Sequence, residues 1–154
     1  MRIMGDGVTT TRREPSKAGA YVLDEQVGFL LRQVSQRHST IFAALIGEEL
    51  TATQWAVLSK LFEVGATSQN LLGRLTAMDA ATVKGVVDRL MRRDLVATRP
   101  DLQDGRRLVV ELTQVGTELV GRLLPRARAI TEETLAPLNA AERSQLEALL
   151  KRLR

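Results

Sequence analysis

The chain contains no cysteine and a single histidine, His38, among 154 residues. The first absence excludes disulfide stapling, thiolate catalysis, zinc-finger sites and thiol-based redox sensing. The second excludes any metal site that needs two histidines. No apolar run approaches the ~18 residues of a membrane span, and no apolar segment follows the basic residues of the N-terminus as in a signal peptide. A cytoplasmic protein with no membrane partner, no metal and no cofactor is therefore expected. P-loop, GxGxxG and HExxH patterns are also missing. The paired acids Glu48-Glu49 and Glu132-Glu133 fall at expected helix ends, where a dipole or solubility role suffices. Catalysis is not expected.

Aromatic residues are few, 3% of the chain, and Tyr21, Phe29, Phe42, Trp55 and Phe62 all precede residue 63. Basic residues are distributed the opposite way. Residues 21–50 carry two basic and four acidic side chains, whereas residues 84–107 carry seven basic (Lys84, Arg89, Arg92, Arg93, Arg99, Arg106, Arg107) and four acidic. A basic region without aromatics has no platform for stacking unpaired bases, which argues against single-stranded nucleic acid. Duplex DNA, held by phosphate contacts and groove insertion, needs no such platform. The whole chain is mildly basic, with 22 Lys and Arg against 18 Asp and Glu. Its 44% hydrophobic and 26% charged content is that of one globular domain.

Residues 1–20 are polar and without period, so a flexible arm is expected, followed by one domain over 21–154. The apolar positions Val27, Leu30, Leu31, Val34, Ile41, Phe42 and Leu45 follow the three-and-four rhythm of a helix from about Val22 to Ile46. Thr51 to Gln54 reads as a capping box opening a second helix through Trp55, Val57, Leu58, Leu61 and Phe62, stopped near Gly65. Ser68 caps a short third helix through Leu71, Leu72 and Leu75. Asp79 caps a fourth, running to about Arg93 and burying Val83, Val86, Val87, Leu90 and Met91.

The period then changes to two. Leu95 to Arg99 forms one strand, and Leu108, Val110 and Leu112 alternate with Arg107, Val109 and Glu111 in another. The turn formers Pro100 to Gly105 join them. Two helices flanking a short turn, followed by a basic hairpin, make a winged helix-turn-helix over about 50–112. The fold class is mainly α with a small β-hairpin wing (α+β). Thr113 opens a further helix, which Pro125 should kink, and Asn139 caps a last one bearing Leu146, Leu149, Leu150 and Leu153. The apolar stripes of the end helices, 22–47 and 113–154, exceed what one chain can cover, so they are expected to pair in a homodimer.

A helix enters a major groove only where its outward face is small or polar. On the fourth helix that face holds Ala81, Thr82, Gly85, Asp88, Arg89 and Arg92, and Thr82 and Lys84 can reach base edges or phosphates. Gly85, costly inside a helix by about 1 kcal/mol relative to Ala, fits close approach to DNA or close packing against another helix. In the hairpin, Arg106 and Arg107 follow an acidic turn and suit a narrow minor groove, with Asp104 orienting one arginine through a bidentate contact. Ser68, Gln69, Asn70 and Arg99 complete the expected DNA-contacting set.

Three stretches carry a likeness: Leu50 to Leu58 (LTATQWAVL), Asp79 to Leu90 (DAATVKGVVDRL) and, most specifically, Asp101 to Thr113 (DLQDGRRLVVELT). Through them the chain, from about Leu23 to Leu153, resembles the MarR family of bacterial winged-helix transcription regulators. Arg106 matches that family's minor-groove arginine and Asp104 its partner. Leu102 stands where a proline is common and Gly105 where an arginine is common.

The resemblance implies a triangular two-fold dimer, paired through its N- and C-terminal helices, on a palindromic operator of double-stranded DNA. Successive recognition helices would then lie about 34 Å apart. It also implies repression relieved by a small aromatic or anionic effector bound between the dimerisation helices and the DNA-binding lobe. Arg32, Arg37, His38 and Trp55 are the candidate effector residues. The segments Asp24 to Gly28 and Ser68 to Asn70 resemble members that sense aromatic carboxylates or their coenzyme A esters, which makes an aromatic acid or aromatic acyl-CoA the expected effector. The alternative is a winged-helix dimer serving as a protein-interaction module or binding DNA without sequence preference.

Overall fold

In the computed structural model, the described residues are Gly19, 21–47 and 49–154; Glu48 and the rest of the expected N-terminal arm lie outside them. The chain divides into two units, 1–34 and 35–154. In the first, Leu23–Glu25 forms a 3-10 turn, closed by Gln26, whose side-chain amide donates to the Val22 carbonyl at 2.8 Å. Helix α1 (Val27–Leu45) therefore begins at Val27 rather than at the expected Val22. Its first turns leave Val27, Leu30, Leu31 and Val34 exposed.

In the second unit α1 ends and is followed by α2 (Ala52–Val64), β1 (Thr67–Ser68), α3 (Gln69–Leu75), α4 (Ala80–Met91), β2 (Val96–Pro100), β3 (Leu108–Leu112), α5 (Gln114–Leu135) and α6 (Ala140–Leu153). Each start is set by a local cap that satisfies otherwise orphaned amides. Thr51 and Gln54 form a reciprocal capping box on α2, and Asn139 and Glu142 form another on α6. Ser68, Asp79 and Thr113 accept from the backbone N–H groups of Leu71, Thr82 and Gly116. Gly65, at φ 78°, ends α2 in a conformation that suits glycine.

The sheet has three antiparallel strands in the order β1-β3-β2, one more than the expected hairpin. Thr67 pairs with Val110, and β2 pairs with β3 from Val96↔Leu112 to Pro100↔Leu108. The period-two expectation for β3 is corrected: Leu108 is exposed, whereas Val109 and Val110 are both buried.

The core gathers Phe42, Ile46 and Leu50, the α2 residues Val57, Leu58 and Leu61, and Leu72 of α3. To these it adds Val83, Val86, Val87 and Leu90 of α4, Val110 of β3, and Leu119, Val120, Leu123 and Ile130 of α5. Two expected core residues, Phe62 and Met91, are instead more than 40% exposed. Helix α4 ends at Met91, short of Arg93, and α5 runs unbroken through Pro125. Leu149, Leu150 and Leu153 of α6 stay exposed. No helix among the described residues is long and apolar enough to cross a membrane.

Helix α5 is fastened to the chain between α4 and β2. The Thr113 hydroxyl donates to the Asp94 carbonyl at 2.6 Å, and the Thr113 N–H donates to the Leu95 carbonyl at 3.2 Å. Gly116 lies so close that a Cβ there would stand 2.0 Å from the Leu95 carbonyl oxygen. Gly116→Ala should therefore destabilise the fold by about 3 kcal/mol or more, measured as a lowered denaturant midpoint; an unchanged midpoint would contradict this packing.

Two carboxylates are held below the ordinary value of 3.8: exposed Asp79 chiefly by the backbone N–H of Thr82, and half-buried Asp101 by the backbone N–H groups of Gln103 and Asp104 and then by Arg107 and Arg99. A depressed carboxyl pKa stabilises the folded state fully at neutral pH, and that contribution is lost as pH falls through the folded value. The amide NMR resonances of Thr82 and Gln103 should titrate with midpoints below 3.8; midpoints at or above it would remove these two caps from the account.

Candidate nucleic-acid interface

Helices α3 and α4 pack closely because Gly73 is buried and small. A Cβ on it would meet the Met78 carbonyl oxygen at 3.1 Å and a Val83 methyl at 3.2 Å. The connection turns at Ala77, whose φ of 54° lies in the left-handed region. That conformation is uncommon for a residue with a side chain and persists where its surroundings hold it. Here the Ala77 and Met78 N–H groups donate back to the Arg74 and Gly73 carbonyls. Asp79 then restarts the helix.

With Val83, Val86, Val87 and Leu90 buried, α4 turns its other face outward. Ala81, Thr82, Lys84 and Arg89 are exposed and Gly85 is half-buried. Lys84 meets Asp88 at 2.7 Å, but both side chains are well exposed, so the pair contributes little and exchanges readily. A Cβ on Gly85 would meet only the Arg89 guanidinium, at 3.6 Å, an ordinary contact. Packing against another helix among the described residues therefore does not account for Gly85.

The strands β2 and β3 carry a loop closed on itself. The Asp101 N–H donates to the Arg107 carbonyl and the Arg107 N–H to the Asp104 carbonyl, both at 2.9 Å. One Asp101 carboxylate oxygen accepts from the backbone N–H groups of Gln103 and Asp104. The carboxylate of Asp104 is divided between two arginines, one oxygen 3.4 Å from Arg106 Nε and the other 3.4 Å from Arg107 Nε. The expected bidentate grip on a single arginine is thus corrected to a bridge between two. Arg106 remains 94% exposed while Asp104 is 35% exposed, so the acid anchors the stem of a guanidinium that reaches into solvent. Arg99, on β2, lies 3.4 Å from Glu111.

Ser68, Gln69 and Asn70 line one side of a depression whose other side is Arg106, Arg107 and Leu108. Strand β1 brings α3 there, a two-residue pairing that the sequence pattern does not signal. The structure thus collects the third-helix residues and the wing arginines at one place. Arg93, which belongs to the same basic segment, is drawn away: its guanidinium donates to the Glu49 carbonyl at 2.6 Å.

Of the candidate effector residues, Arg37 and His38 both meet Thr134 near the end of α5. The Arg37 guanidinium donates to the carbonyls of Thr134 and, at 2.8 Å, Glu133, so it caps the end of α5. His38 Nδ1 is 2.9 Å from the Thr134 hydroxyl, and His38 lines a depression of about 290 Å³ with Phe42, Leu50, Ser39 and Thr51. Trp55 is half-buried against the core. Arg32 is an exposed residue of the N-terminal unit.

The MarR family profile matches residues 50–108, the segment that contains α2 to the start of β3. The repressor NicR of Pseudomonas putida is 40% identical over 94% of this chain and 92% of its own length. The structure of a probable transcriptional regulator from Pseudomonas aeruginosa is 51% identical and superposes with a TM-score of 0.82, covering 86% of this chain and all of that one. BpsR of Bordetella bronchiseptica, whose structure concerns regulation of DNA binding by 6-hydroxynicotinic acid, is 43% identical with a TM-score of 0.85 over 88% of this chain and 97% of that one. The helix-turn-helix and the anchored basic wing agree with these likenesses: the chain belongs to the MarR family of winged-helix, DNA-binding transcriptional regulators.

Proposed function

We propose that the protein is a dimeric repressor that binds a palindromic operator of double-stranded DNA and releases it on binding a small aromatic carboxylate. The observation that carries the DNA-binding part is Arg106, exposed at the tip of a loop that Asp101 and Asp104 close. A preorganised cation of this kind suits the enhanced negative potential of a narrow minor groove. Beside it α4 offers Ala81, Thr82, Lys84, Gly85 and Arg89 to the adjoining major groove, and Ser68, Gln69, Asn70, Arg99 and Arg107 contact phosphates. Residues 22–47 and 113–154 supply the dimer interface, for which the exposed Val27, Leu30, Leu31, Leu149, Leu150 and Leu153 are the apolar material.

The effector site is the depression at His38. Phe42 and Leu50 offer an apolar floor for an aromatic ring, and His38, Ser39 and Thr51 offer polar partners for its substituents. Arg37, engaged with α5, positions that helix rather than the ligand. The ligand named for BpsR, 6-hydroxynicotinic acid, belongs to the chemical class proposed. Gly47, Leu50 and Thr51 of the depression flank Glu49, whose carbonyl accepts from Arg93 just beyond α4. An effector that shifts this segment would reposition α4 and favour the conformation with poor operator spacing.

The deciding experiment is fluorescence anisotropy on the duplex upstream of the protein's own gene, with scrambled competitor and with 6-hydroxynicotinic acid. We expect discrimination of roughly 10³ or more, a loss of about 1–3 kcal/mol per wing with a shallower salt dependence in Arg106→Ala, and release by the acid. Equal binding of both duplexes would remove sequence-specific recognition of this site, and retained binding with the acid would remove this effector alone.

Gly85→Ala separates function from folding. It should raise stability by about 0.5–1 kcal/mol, yet weaken operator binding about tenfold, the worth of one base contact. Unchanged operator affinity would mean that α4 does not approach the groove at Gly85.

A further inference from the structure

Leu102 is 94% exposed, more than any other large apolar side chain among the described residues. It follows Asp101, whose carboxylate accepts from the N–H groups of Gln103 and Asp104 and so fixes the backbone on either side of it. The same loop, bridged from Asp101 to Arg107, carries Arg106. These bonds order the loop's backbone, and the Leu102 side chain stands in water.

Two depressions border the wing. Leu102, Arg99 and Arg107 line one, Arg106, Arg107 and Asn70 line the other, and both include Ser68 and Arg107. The two depressions adjoin at Ser68 and Arg107, with Leu102 in the lining of one and Arg106 in the lining of the other. A surface that covers both depressions meets Arg106, Arg107 and Leu102 together.

We propose that Leu102 is a second, uncharged contact of the wing, buried in the minor groove against the deoxyribose walls beside Arg106. The assignment rests on the DNA-binding reading above. The minor groove is about 6 Å wide, its walls are sugar C–H surface, and apolar side chains are recurrent partners of basic ones there. A leucine seated on those walls removes its own surface from water and excludes water around the neighbouring guanidinium. Arginine contributes through charge and counterion release, leucine through burial alone, so salt separates the two.

The test uses a duplex that the wild-type protein selects from a random-sequence pool, with affinity measured at several salt concentrations for wild type, Leu102→Ala, Leu102→Met and Arg106→Ala. We expect Leu102→Ala to lose about tenfold in affinity for each wing, from the burial of one leucine side chain, with the salt slope unchanged. Leu102→Met should retain most of the affinity. Arg106→Ala should instead lower the slope by about 1 per wing. Thermal midpoints of both Leu102 variants should match wild type, because the exposed side chain supports no fold contact. Wild-type affinity in Leu102→Ala, or a loss that appears only as a reduced salt slope, overturns the proposal while leaving the DNA-binding reading in place. A pool that yields no enriched duplex for the wild-type protein overturns the DNA-binding reading, and this proposal with it.

Discussion

The arrangement of the DNA-binding face depends on one close contact, the first turn of α5 against the carbonyl of Leu95. Three groups make it: the hydroxyl and N–H of Thr113, which bond the Asp94 and Leu95 carbonyls, and Gly116, which lets the helix come that near. Asp94 adopts a left-handed φ of 56°, so the chain reverses between α4 and β2 at the point where α5 is fastened. The exit of α4, the base of the wing and the start of the long helix thus share a single anchor. Moving any one of them displaces the others, because a packed contact of this kind shifts between discrete arrangements rather than deforming smoothly.

Local signals are legible in the sequence and non-local ones are not. The caps at Thr51, Ser68, Asp79, Thr113 and Asn139 are readable in the sequence because each involves a side chain and an amide three residues away. The buried valines and leucine of α4 are readable because one helix face repeats them. Strand β1 is not, since two residues acquire strand character only by pairing with Val109 and Val110 far along the chain. Val109 is buried for the same tertiary reason, against its own strand's alternation. Arg37 looked available for an anion because its partners, the last carbonyls of α5, lie 96 and 97 positions away. Phe62 and Met91 carry a core-like spacing but fall at helix ends, where the apolar stripe runs past the core.

Charge within this face serves placement more than stability. Lys84 with Asp88, Arg99 with Glu111, and Arg106 and Arg107 with Asp104 are all solvent-exposed pairs. Such pairs are worth only about 0–1 kcal/mol, so an arginine can leave its carboxylate for a phosphate at small cost. The acids hold side chains in extended positions before any partner arrives, which reduces the ordering entropy of binding. Asp101 acts differently, on the backbone: its bonds to two amides stiffen the loop, and their strength is what depresses its pKa. The wing is therefore acidic where it needs rigidity and basic where it projects.

Coupling to an effector at the proposed site would require a segment touched by both sites, and the stretch formed by Gly47 and Glu49 to Thr51 is placed for that. Gly47 is confined, since a Cβ there would stand 2.6 Å from the Ala43 backbone, and the stretch borders the His38 depression. Its far side is gripped twice at Glu49: the carbonyl by Arg93, two residues beyond α4, and the carboxylate by Arg122 of α5 at 2.9 Å. A ligand on Phe42 and Leu50 would thus abut a segment hydrogen-bonded to the turn after α4 and to the helix anchored at Leu95. Both grips are exposed side-chain bonds, weak enough individually for the differential binding energy of a small molecule to redistribute. A coupling of about 1–3 kcal/mol is typical of allosteric proteins, and losing one or two such bonds is on that scale. On this reasoning the Glu49 node, rather than the hydrophobic core, is where ligand binding would alter the geometry presented to DNA.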